Sequence, residues 1–276
     1  ALRSVVSLIA TIFVATLTAS DLRADGPMVV EPGKVVLHGP NSRQQLVVLG
    51  RANELDVDLT QKAEYSSENA AIATVDETGL VRPVGDGSVT IRVKQNGIEV
   101  QIPVEVSAAT TTLPIDFQND IIPILTAGGC NSGPCHGKAR GQGGFKLSLF
   151  GFDAEFDYEA LAKEGRGRRV FLSSSDRSLL LLKPMGRVPH GGGIRIVPDG
   201  PEYATLLRWL ESGLPRRVED APQLQRVTVT PRDRVMGFEA SQQLIATAHF
   251  SNGSTRDVTA LSGWQSNESG VAAVND

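Results

Sequence analysis

Apolar and polar residues alternate through the first third of the chain, and further on the spacing lengthens to that of a helix. Val35 and Leu37, then Leu46 and Val48, open the alternating part; Val89, Ile91 and Val93, then Ile98, Val100, Ile102 and Val104, close it. A period of two turns every second side chain to one face, which is the signature of a half-buried strand. Asn96-Gly97 separates the last two runs, and Asn-Gly favours the tight turn of a β-hairpin. Val81 to Gly87, with its Pro and two Gly, reads as a turn-rich crossing. About seven short strands are expected from about Pro27 to Val106, packed as a small antiparallel sandwich.

Past the small polar linker at Ala108–Thr112 the period changes. Phe117, Ile121, Ile124 and Leu125 fall on one helical face, as do Tyr203, Leu206, Leu207 and Leu210. Gly213 is placed to cap the second of these helices. Asp153, Glu155 and Asp157 could resemble an oxygen-ligand metal cluster, but their alternation with Phe152, Phe156 and Tyr158 more simply suggests a strand or turn with its polar side out.

The chain also repeats itself. Asp58-Leu-Thr60, Ser67-Glu-Asn69 and Ile72-Ala-Thr-Val75 recur at one constant offset as Asp257-Val-Thr259, Ser266-Asn-Glu268 and Val271-Ala-Ala-Val274. Tyr65 and Trp264 fall on the same position of the repeat. Two copies of one module therefore flank an unrelated insert. The expected domains are residues 27–107, the insert 113–216 and a second module 222–276. The second module stops before the late strands of the first recur, so the chain is expected to be a fragment of a longer protein.

The bulk numbers narrow the partners. Over 276 residues the formal charge is −4, which offers no electrostatic reason to bind nucleic acid. Aromatic residues make up 5%, with 28 Gly and 15 Pro, a balance that suits short strands and turns. Residues 1–24 read as an export signal, and because they open on Ala1 rather than Met part of that signal is expected to be missing. Arg3 precedes the apolar run Val5 to Leu17, and Thr18, Ala19 and Ser20 follow. An uncleaved membrane anchor is the alternative. Either way the protein is expected in the periplasm or at the cell surface, where cysteines can be oxidised or joined to haem.

Both cysteines lie in Cys130-Asn-Ser-Gly-Pro-Cys135-His136-Gly137. The motif admits three readings. A structural disulfide is the default for a pair in an exported protein. A zinc site needs about four ligands, and the insert offers two Cys and two His. Covalent haem attachment accounts for both cysteines and for His136, which then serves as an iron ligand. The usual attachment motif has two residues between the cysteines, whereas four stand here. Gly133-Pro134 suits an outward bulge of the extra residues. The second axial ligand would be His190, with Met185 as the alternative, both in the loop Lys183–Gly193. Arg166, Arg168, Arg169, Arg187 and Arg195 are candidate partners for haem propionates.

Two resemblances sharpen this picture. Ser66–Val81 and Gly85–Ile91 resemble the bacterial immunoglobulin-like group 2 family. The insert resembles the cytochrome c-like domain of large planctomycete-type exported proteins. The resemblance rests on Gly129-Cys-Asn, Gly133-Pro-Cys-His-Gly, Gly144-Phe-Lys-Leu-Ser-Leu-Phe-Gly, Gly167-Arg-Arg, Ser178-Leu-Leu-Leu-Leu-Lys-Pro, Pro189-His-Gly-Gly-Gly and Leu207-Arg-Trp-Leu. That resemblance implies one covalent haem c, with the wide cysteine spacing as a family trait. In simpler cytochromes of this type the distal loop reads Met-Pro-Pro-Gly; aligned on its proline, Val188 takes the methionine position, which supports His190.

The fold expected is multidomain: an immunoglobulin-like sandwich, a mainly α cytochrome c-like domain, then an incomplete second sandwich. The function expected is electron transfer by an exported c-type cytochrome-like protein with an unidentified redox partner. The alternative is a surface adhesion or scaffold protein with a Cys130–Cys135 disulfide and no cofactor. No catalytic motif stands out, so any enzymatic part would lie beyond residue 276.

Overall fold

The computed structural model describes residues 27–275. The expected export signal lies outside the described residues. No helix among them is long and apolar enough to cross a membrane.

The alternating stretch forms three small sheets around one core. Strands β1 (Val29–Glu31), β4 (Val47–Ala52) and β5 (Leu55–Asp58) form the first, in that order. Strands β2 (Val35–His38), β10 (Ile98–Ser107), β9 (Gly87–Gln95) and β6 (Glu64–Ser67) form the second. Strands β3 (Gln44–Gln45), β8 (Leu80–Pro83) and β7 (Ala73–Val75) form the third. The period-two residues do what their spacing predicts: Val35, Leu37, Leu46, Val48, Ile91, Val93, Ile102 and Val104 are all buried in one cluster. Burial of such side chains, about 25 cal/mol per Å² of apolar surface, is what holds the sheets together. Asn96 (φ 50°) and Gly97 (φ 81°) make the β9–β10 hairpin turn, both in the left-handed region that such a turn requires.

Three expectations need correction. The strands number ten rather than seven, because several are only two to four residues long. The sandwich is not wholly antiparallel, since β10 runs parallel to β2, with Val104 opposite Val35. The segment from Val81 is not all turn, since β8 holds it to Pro83 and β9 resumes at Gly87.

The insert packs a second core. A π-helical turn, Phe117–Ile121, runs into helix α1 (Ile122–Ala127), followed by α2 (Ala154–Ala162), α3 (Leu179–Leu182) and α4 (Pro201–Glu211). Asp116 caps the first turn, its carboxylate accepting from Asn119 N at 2.9 Å. The two predicted helical faces meet: Phe117, Ile121, Ile124 and Leu125 are buried in one cluster with Leu206, Trp209 and Leu210. Gly213, at φ 84°, ends α4 as its position predicts. The helices are short and turns and loops link them, so the insert is helical without being a long-helix bundle.

The segment Asp153–Tyr158 is helical, not extended. Asp153 caps α2, its carboxylate accepting from Phe156 N at 3.0 Å. Asp157 is fully buried rather than turned outward.

The second module is the three-stranded sheet β11 (Leu224–Thr230), β12 (Ile245–Phe250) and β13 (Thr255–Asp257), ending in the turn Thr259–Leu261. Its order matches β1-β4-β5 of the first module.

Candidate functional site

The cysteine motif begins where α1 ends. Gly129, at φ 67°, reverses the chain, and Cys130 N reaches back to Leu125 O at 2.8 Å. The four residues between the cysteines fold into a compact knot. Ser132 N and Oγ donate to Gly129 O, Cys135 N donates to Ser132 O at 3.1 Å, and His136 N donates to Cys130 O at 2.9 Å. Gly137 closes the knot against the Asn131 carbonyl oxygen, which a Cβ at that position would approach to 2.1 Å. Asn131 is itself fully buried, donating to Thr126 Oγ1 at 2.8 Å.

His136 is then fixed by the segment that follows. Its Nδ1 bonds the Phe145 carbonyl at 3.0 Å, and its ring lies 4.5 Å from the Phe145 ring. Leu147 N donates to His136 O at 2.8 Å. A carbonyl only accepts, so Nδ1 carries the proton and the imidazole lone pair sits at Nε2. Burial lowers the His136 pKa, with help from neighbouring His190 and Arg169, and so favours the neutral ring. His190 is held the same way, its Nδ1 against the Gly193 carbonyl at 2.9 Å. Gly193 (φ 73°) supplies that turn, and Gly192 leaves room for the ring, which a Cβ would approach to 3.1 Å.

The two imidazoles lie 54 residues apart in sequence yet face one cavity. Their centroids are 6.4 Å apart and their planes differ by 13°. The cavity is about 650 Å³, and Cys130, Cys135, His136 and His190 all line it. Its walls are largely apolar, from Leu125, Phe145, Leu147, Leu161, Leu180 and Ile196. Both thiols are free, not joined to one another. Burial pushes the Cys130 thiol up to about 11, so it is protonated at neutral pH. Met185 does not line the cavity; it packs against the insert's apolar core.

Of the five arginines, Arg168, Arg169 and Arg195 line the cavity. Arg169 is already engaged, stacked 4.3 Å over Phe145 and donating to the carbonyls of Ala160, Glu164 and Gly144. Arg195 donates Nε to Gly192 O at 2.7 Å, which braces the loop after His190. Among the described residues no group of three or more His, Cys, Asp or Glu is placed to hold a metal ion.

Four supporting residues had no individual role assigned from the sequence, although Gly137, Phe145 and Ser148 lie within the motifs quoted for the resemblance. Phe145 supplies both a carbonyl and a ring to His136. Asp157 grips Ser148, accepting from its N at 2.5 Å and its Oγ at 2.7 Å, and so anchors the end of the segment that carries Phe145. Gly137 is the fourth, through its contact with Asn131.

Comparison with known proteins resolves the first module. Residues 27–115 match the family described as bacterial Ig-like domain (group 2). That segment is a group 2 bacterial Ig-like domain. Among solved structures, domains 5-6 of the S-layer protein SbsC align at 24% identity over 30% of this chain and 43% of that one, with a TM-score of 0.26. Domains 4 and 5 of SbsC align at 23% identity over 30% of this chain and 51% of that one, with a TM-score of 0.24. An intimin mutant from EHEC O157:H7 aligns at 21% identity over 29% and 45%, with a TM-score of 0.21. The chain thus covers about half or less of each of these structures. No curated protein matches it.

Proposed function

We propose that the protein is an exported, Ig-domain-bearing protein whose insert holds one covalent haem c and transfers electrons. The observation that carries this reading is the pair of imidazoles, His136 and His190, 6.4 Å apart on one cavity with both cysteines. Imidazole nitrogens are ligands that haem iron takes, and here two such rings line one cavity. The donor set also fits. A porphyrin supplies four nitrogens of its own, so two protein ligands suffice, and a haem c takes two thiols for attachment.

In this reading Cys130 and Cys135 would hold the ring, and His136 and His190 would ligate the iron. The haem would supply a one-electron couple. The chain's own part is positional and electrostatic. The carbonyls of Phe145 and Gly193 fix the orientation of the two imidazoles. The apolar walls offer a surface for the porphyrin face, and Arg168 and Arg195 offer charge for propionates.

A second reading has a specific observation behind it. The Ig-like match over residues 27–115 supports a surface adhesion or scaffold protein in its own right. In that reading Cys130 and Cys135 form a disulfide and the cavity takes no cofactor. Both readings place the protein at the cell envelope or surface.

The test is the visible spectrum of the chain produced by export in a host with haem-attachment machinery. The proposal expects a low-spin haem spectrum that turns high-spin in His190→Ala and is unchanged in Met185→Leu. A colourless protein with a Cys130–Cys135 disulfide would favour the scaffold reading. A spectrum lost in Met185→Leu and kept in His190→Ala would reassign the distal ligand.

A further inference from the structure

The two Ig-like modules meet across a surface that is the same on both sides. Each module carries Gln-Gln-Leu, at Gln44–Leu46 and at Gln242–Leu244, just before its strand β4 or β12. Each carries Asp-x-Thr, at Asp58–Thr60 and Asp257–Thr259, after the following strand. Within each module one carboxylate oxygen caps its own turn: Asp58 Oδ1 accepts from Thr60 N at 2.7 Å, and Asp257 Oδ1 from Thr259 N at 2.9 Å. The threonine hydroxyl then accepts from the strand, from Val48 N in one module and Ala246 N in the other, at 3.0 Å in both.

The other carboxylate oxygen crosses to the opposite module. Asp58 Oδ2 accepts from Gln243 N and from Gln242 Nε2 at 3.1 Å. Asp257 Oδ2 accepts from Gln45 N at 2.6 Å and from Gln44 Nε2 at 3.5 Å. Between these two clasps the equivalent residues Val47 and Ile245 are buried against each other with Leu49. Asp257 is itself buried. A contact in which residue i of one body meets j of the other, and j meets i, is isologous, the pattern of a twofold dimer. One addition breaks the symmetry: Arg234 pairs with Asp56, which also exchanges main-chain and side-chain bonds with Val235.

We propose that this is a homotypic docking surface. A module bearing Gln-Gln-Leu and Asp-x-Thr at these places takes as its partner another module bearing the same set, and in this chain the first and second modules take each other. The modules are then one paired unit rather than independent spacers. The insert is tied into the unit on both sides, through Arg43 with Glu202 and Arg256 with Asp120. Charge-assisted bonds donated by main-chain N–H groups to a half-buried or buried carboxylate give such a surface its specificity, and the apolar centre gives it burial.

Hydrogen exchange of the full chain, read by mass spectrometry, tests the proposal in trans. Asp58→Asn keeps an oxygen for its own Thr60 and presents an NH2 group to Gln243, so the Gln243 amide should exchange about tenfold faster or more, the factor for losing a bond to a charged acceptor. Asp257→Asn should do the same to Gln45. Amides of β9 and β10 report on the integrity of the first module and should keep their protection. If Asp58→Asn disturbs them, Asp257→Asn reads the same interface from the other module. Unchanged exchange at Gln243 and Gln45, with effects confined to each module's own turn, would overturn the proposal.

Discussion

Gly137 follows the motif histidine and has no room for a side chain, because a Cβ would lie 2.1 Å from the Asn131 carbonyl oxygen. Gly137→Ala must therefore push the Cys130–His136 knot apart. Overpacking of this kind costs about 1–3 kcal/mol or more, and thermal unfolding of the insert should show it, with His136 displaced from Phe145. Asp157 makes a second residue-scale case. It is fully buried and its pKa is raised by that burial, against the pull of its Ser148 bonds. The native state thus holds the proton more tightly than the unfolded chain, whose Asp titrates near 3.9. Its contribution is full below that value and declines as pH rises through the raised native one. Asp157→Asn should flatten this part of the stability–pH curve while keeping the grip on Ser148. Asp157→Ala leaves the Ser148 N–H unpaired and should cost about 1–3 kcal/mol; a pH slope equal in wild type and Asp157→Asn would contradict the assignment. The burial of Asp157 was not legible in the sequence, where Asp153, Glu155 and Asp157 alternate with aromatics. The better signal was Asp153 as a helix cap with two acidic residues in the first turn.

At the scale of elements, spacing was a good guide wherever one face is buried. The helical faces of Phe117–Leu125 and Tyr203–Leu210 meet in the insert core, and Trp209 locks them. Its ring lies 5.3 Å from Phe117 and its indole N–H donates to Pro215 O at 2.9 Å. Trp209→Ala should cost about 3–5 kcal/mol, measured by denaturant unfolding, and should leave the amide protection of β9 and β10 intact. Spacing could not show that β2 runs parallel to β10, because alternation fixes a strand's face and not its partner's direction. Nor did the constant-offset repeat find the Gln-Gln-Leu pair. The β12–β13 hairpin is one residue longer than β4–β5, which shifts the offset between that tripeptide and the Asp-x-Thr that follows it.

At the scale of the molecule, the order of parts follows the sequence: Ig-like domain, helical insert, second three-stranded module. The repeat showed that the modules are related but not that they touch, since contact lies in residues that two carboxylates, Asp58 and Asp257, join across the chain. The haem reading depends on a juxtaposition of the same kind, His136 with His190 over one cavity that also holds both cysteines. The most direct measurement is mass spectrometry of the proteolytic peptide that carries Cys130 to His136, from chain made with haem-attachment machinery. The account predicts one haem bound to that peptide through both cysteines, and none on Cys130→Ala/Cys135→Ala. A peptide without haem, its cysteines free or joined as a disulfide, would contradict it.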